Sequence, residues 1–151
     1  MFKTAYCLKK KKKGRLVIQE GAKHNQVSDR VVIHGLAEKN FYELLPDAVM
    51  DGSVMLVDIE GGEFDLFDAA IFEKFKKSLI VIELHDWFFP DGDEKLKNLL
   101  SQASRYFDID YLTMSSRDMS LFPELVNLSD IDRWLICDEG RGRLMRWLKL
   151  T

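Results

Sequence analysis

Two carboxylates separated by one residue, Asp58 and Glu60 in "VMLVDIEGGEFDLF", end an apolar run, and a second pair, Glu83 and His85 in "LIVIELHD", ends another. Charges at the end of a hydrophobic run are costly to desolvate unless they are paired or needed. On an extended strand, residues two apart share a face. If the two runs are neighbouring strands, three carboxylates and an imidazole converge at one rim. Such a group perturbs proton affinities and suits general-base chemistry, and His85, with a reference pKa near 6.5, is the first choice of base. The plainer alternative is that these acids cap following helices or pair with lysines and arginines.

The neighbouring residues carry less. Gly61 and Gly62 allow a tight turn or a close backbone approach. Glu63 falls in the first turn of the following segment, where a negative charge favours the helix dipole without any substrate, and it is read in that way. Gly35 in "HGLA" lets the chain turn, while Leu36 and Ala37 are small apolar groups able to flank a flat ring. His34, inside an apolar run, reads as a core residue. "GRGR" at 140–143 lacks the strand-to-helix context of a phosphate loop and reads as a turn.

The elements that must position these groups follow from hydrophobic periodicity. Segments 31–36, 54–59 and 79–84 are short, nearly continuous apolar runs, the pattern of parallel strands covered on both faces. Between the last two, Phe64, Phe67, Ile71 and Phe75 recur at helical spacing, with acids early and lysines late, predicting one crossover helix. Leu96, Leu99, Leu100, Ala103 and Phe107 predict a second, with Asp91 or Asp93 as cap. A weaker stripe over 15–26 allows a helix there. "DIDYLTMS" and "DRWLICDE" (132–139) read as two late strands, antiparallel because no crossover helix divides them. Alternating strands and helices give an α/β open sheet whose ligands bind beyond the carboxyl ends of its strands, where the acidic pairs lie.

At 151 residues and 46% hydrophobic content the chain suits one folded domain. A net charge of -3 and a pI near 5.6 give no general pull toward nucleic acid or an anionic membrane. Lys9 to Lys13 form the one basic run, expected to belong to a poorly ordered arm over 1–14 ahead of an α/β domain over 15–151. Cys7 and Cys137 are far apart and lack metal-ligand spacing, which fits a reducing compartment and no metal set. No run reaches the length of a membrane helix. A cytoplasmic location is expected.

The residues together resemble a known family. "LVDIEGGEFDLF" is similar to the signature K-I-D-V-E-G-x-E of FkbM-type methyltransferases, and "LIVIELHD" to that family's next strand, which commonly ends in E-x-H. "AKHNQVSDRVVIHGLA" (22–37) resembles a helix-to-strand passage of S-adenosylmethionine-dependent methyltransferases, and "DIDRWLICDEGR" the family's late strand. The likeness spans about residues 20–147. The lysine of the signature has no counterpart in "LVDIEGGE". Nothing in residues 1–16 matches the glycine-rich first strand or the acid-ended second strand that the resemblance implies, so the chain resembles the C-terminal part of such a domain, a truncated Rossmann-like methyltransferase sheet.

The resemblance implies S-adenosylmethionine as cofactor and methyl transfer to a hydroxyl of a small molecule or glycan. Under it His85 takes the acceptor's proton and Glu83 fixes the imidazole. Asp58 and Glu60 orient the nucleophile or steady the sulfonium, and Gly35, Leu36 and Ala37 flank the adenine. Two other readings stand beside it: a non-catalytic remnant of the same fold, whose exposed sheet edge invites self-association, and a metal-dependent hydrolase using Asp58, Glu60, Glu83 and His85.

Overall fold

The computed structural model describes residues 3–114, 118–138, 140 and 142–151. It is an α/β structure, as the alternating pattern predicts. Strand β3 (Val54–Val57) pairs in parallel with β4 (Leu79–Glu83), Val57 lying opposite Ile82. β4 then pairs antiparallel with β6 (Arg146–Leu150), which pairs antiparallel with β5 (Ile109–Thr113), so the order is β3-β4-β6-β5. One consequence decides the site. Because β6 runs opposite to β3 and β4, the residues leading into β6 arrive at the edge where β3 and β4 end.

The segment 31–36 does not join this sheet. β2 (Val31–His34) pairs in parallel with β1 (Ala5–Leu8) in a separate two-stranded sheet, bridged by helix α1 (Lys12–His24). This corrects two expectations. The basic arm over 1–14 holds a strand and the start of a helix, since "AYCL" is β-prone and the lysines that follow are good helix formers. The 31–36 run is thus parallel, but it is no neighbour of β3.

The segment after β3 forms two short helices, α3 (Glu63–Leu66) and α4 (Ala69–Lys74), where periodicity predicts one; the short α2 (Asp47–Met50) precedes β3. Asp68 breaks the run. Its side chain accepts hydrogen bonds from the Ala70 and Ile71 amides, which favours a fresh N-cap over helix continuation. Burial alone would raise the Asp68 pKa, but the Ile71 amide, Lys39 and the Ala70 amide together hold it below the ordinary carboxylate value. A lowered folded pKa means that the stabilisation is present above the unfolded carboxyl's pKa near 3.9 and is lost as pH falls through the lower folded value. Asp68→Ala is expected to cost about 1 kcal/mol at pH 7 and less in strong acid, as read by urea unfolding at the two pH values. An equal cost at both would remove the charge contribution.

Helix α5 (Gly92–Ala103) packs its stripe of Leu96, Leu99 and Ala103 into the core, as expected, although Asp91 at its N-cap makes no side-chain capping bond. The core lies between this stripe, the α4 residues Ile71 and Phe72, and the inward face of the four-stranded sheet, Ile80, Ile82, Leu148 and Leu150. The largest departure is at 130–137. "DIDRWLIC", expected as a strand, is helix α6 (Asp130–Cys137), and the late antiparallel partner of β5 is instead β6. Local chemistry explains the switch: the Ser129 side chain caps the Asp132 amide, and Asp130 and Asp132 place negative charge in the first turn. These terms outweigh the β-preference of Trp134 and Ile136. No described helix is long and apolar enough to cross a membrane.

Candidate active site

The sheet brings Asp58, Glu60, Glu83 and His85 together. They line one pocket of about 420 Å³ at the carboxyl ends of β3 and β4. The means differ from strand alternation. β3 ends at Val57, and Glu60 and Gly61 take left-handed backbone conformations with φ of 54° and 95°. This turn swings the Glu60 carboxylate toward the next strand, where its Oε2 lies 3.6 Å from His85 Nε2, with Asp58 Oδ1 at 3.9 Å. Gly61 is required twice over: its φ suits glycine, and a Cβ there would come within 2.9 Å of the Phe89 ring.

His85 is the fixed member of the group. Its side chain is 4% exposed, against 60% for Asp58 and 73% for Glu60. The ring packs on Phe88, centroids 5.3 Å apart and 28° from parallel, and lies 5.3 Å from the Trp87 ring. On its far side, Nδ1 is 3.3 Å from Oε1 of Glu63, although the geometry there is not that of a hydrogen bond. The same carboxylate accepts the His85 amide at 2.8 Å and, through Oε2, the Gly61 amide at 2.9 Å. Glu63 is fully buried. It therefore ties the β3 turn to the end of β4 and sits behind the imidazole. Glu63, which the sequence assigns only to a helix dipole, thus also stands beside Nδ1 of the imidazole. Its place as the last acid of the D-x-E-G-x-E segment was the signal available in the sequence.

Other lining residues carry no motif. Trp87 and Phe88 form an aromatic wall on the 3₁₀ turn Asp86–Phe88, and Gly142, Arg143 and Met145 reach the pocket on the lead-in to β6. The turn is held by Arg146, which donates to Asp86 at 2.6 Å, and by the close seat of Gly92, where a Cβ would lie 2.0 Å from the Asp86 carbonyl oxygen. Only the "DWFFP" run hinted at the aromatic wall. The pocket does not include Gly35, Leu36 or Ala37. They follow β2 on the smaller sheet, Leu36 half exposed and Ala37 packed against the core. Arg141, in the "GRGR" segment that the sequence reads as a turn, lies outside the described residues.

No family model matches the chain, and no curated protein matches it. Among solved structures, it is similar to one described as a putative precorrin-6Y C5,15-methyltransferase targeted domain from Corynebacterium diphtheriae, at 16% identity and a TM-score of 0.47. That similarity covers 98% of this chain and 74% of the other. At this level the similarity does not bear on what the pocket does.

Proposed function

We propose that the pocket is the centre of an S-adenosylmethionine-dependent methyltransferase of FkbM type, acting on a hydroxyl of a small molecule or glycan. The observation that carries this reading is the meeting of Asp58, Glu60, Glu83 and His85 in one pocket at the sheet's carboxyl edge. The residues fit the charged part of the cofactor: three carboxylates and the Trp87 and Phe88 rings favour a sulfonium by charge and by cation–π attraction. When bound, S-adenosylmethionine would supply an electrophilic methyl carbon, whose bond to sulfur breaks as the methyl passes to the acceptor, releasing a neutral thioether.

The chain's residues supply the rest. His85 Nε2 faces the pocket and takes the proton that the acceptor hydroxyl loses as its oxygen bonds to the methyl carbon. The imidazolium so formed lies between Glu63 on one side and Asp58 and Glu60 on the other. Asp58 and Glu60, being exposed, are free to accept acceptor hydroxyls and orient them. The aromatic wall excludes water from one side.

Calorimetric titration of the protein with S-adenosylmethionine tests the reading. Saturable binding below the millimolar range, weakened by Asp58→Asn with Glu60→Gln, is the expected result. No saturable heat would remove it in favour of a non-catalytic domain. One observation favours that second reading: the residues expected to flank the adenine, Gly35 to Ala37, lie off the pocket.

A further inference from the structure

We infer that Asp58, Glu83 and His85 form a binding site for a divalent cation of the zinc or manganese type. Each offers a ligand atom, and the three atoms lie within 4.8 Å of one another. The spacing is informative. His85 Nε2 and Asp58 Oδ1 are 3.9 Å apart, too far for a direct hydrogen bond. Two ligands about 2.1 Å from a shared ion stand about 3.4 Å apart at the tetrahedral angle, so the exposed Asp58 carboxylate needs to close by only about 0.5 Å. Asp58 is the exposed partner and closes on the ion; His85 and Glu83 are buried and define where the ion sits.

The far side of the ring is compatible with a ligand role. His85 is more than nine-tenths buried, and its Nδ1 has no hydrogen-bond partner among the described residues although the Glu63 carboxylate is 3.3 Å away. A histidine whose outer nitrogen holds a metal commonly turns its other N–H to a carboxylate, and that carboxylate sets the ring's tautomer and basicity. Glu63 stands in that place, itself anchored by two backbone amides. The donor set of one imidazole and two carboxylates suits zinc or manganese better than the all-oxygen shells of magnesium and calcium. Glu60, 3.6 Å from the same nitrogen, is within reach as a fourth ligand or as a hydrogen-bond acceptor for bound water.

The inference concerns the same pocket but does not depend on methyl transfer. With an ion on Nε2 the imidazole has no lone pair left to take a proton, so the ion-loaded and proton-accepting states of His85 exclude one another.

Equilibrium dialysis of chelator-stripped protein against Zn²⁺ and, separately, Mn²⁺, followed by metal analysis, tests it. Mn²⁺ is included because the thiols of Cys7 and Cys137 compete poorly for it. One ion per chain is expected, with affinity reduced at least tenfold in Asp58→Asn, a substitution at an exposed position that leaves the fold intact. Sub-stoichiometric uptake, or affinity unchanged in Asp58→Asn, would overturn the site. The S-adenosylmethionine titration is run in chelator, so the two readings fail separately: metal uptake without cofactor binding removes methyl transfer alone, and the converse removes the cation alone.

Discussion

Replacing Glu63 with alanine is expected to destabilise the protein by about 4 kcal/mol, because two buried amides, those of Gly61 and His85, lose their acceptor at once. Each orphaned buried donor costs about 1–3 kcal/mol, and the truncated side chain leaves space in a fully buried position. Glu63→Gln keeps one oxygen acceptor and is expected to lose about half as much. Urea unfolding of the three proteins in one buffer measures this. A loss under about 1 kcal/mol for the alanine variant would mean that the β3 turn and the end of β4 are held by something other than this carboxylate. The result bears on function because the same side chain stands behind the imidazole.

Phe72→Ala is expected to be of similar size, about 3–5 kcal/mol. Phe72 is completely buried in α4, stacked on Phe67 at 5.4 Å between centroids and edge-on to Phe107 at 5.9 Å. These rings link the crossover helices to each other beneath the sheet. With total stabilities of about 5–15 kcal/mol for domains of this size, the alanine variant retains little reserve. Phe72→Leu, which keeps most of the volume, is expected to lose about 1.5 kcal/mol and stay folded. Were both variants to unfold at the wild-type urea midpoint, the aromatic cluster would not be the centre of the core. The proposed S-adenosylmethionine binding should be unchanged in Phe72→Leu, since Phe72 does not line the pocket.

Four acidic and imidazole side chains at the tips of two parallel strands were legible in the chain itself. Continuous apolar runs over 54–57 and 79–83 read as strands, and a charge at the end of such a run lies at the sheet's carboxyl edge; the expected cover on both faces fails for β3, an edge strand whose Val54 and Leu56 are exposed. The α5 stripe was equally clear, because Leu96, Leu99 and Ala103 keep one face over about two turns. Two local competitions went the other way. At 130–137 a capping serine and early acids overcame β-prone residues, and at Asp68 a side-chain cap split a continuous helical stripe.

What the tertiary structure decided is who meets whom. Periodicity carries no information about strand order, so the placing of β2 beside β1, away from β3, and of β6 between β4 and β5 rests on packing. That order carries Arg143 and Met145 into the pocket and leaves Gly35 to Ala37 outside it. Glu63 shows the same division. The sequence determined that it begins a helix, where its charge has an evident local use. Only the fold, by bringing the amide and ring of His85 within 3.3 Å of its carboxylate, gave it a second role, because contacts across 22 residues depend on chain closure and not on local propensity.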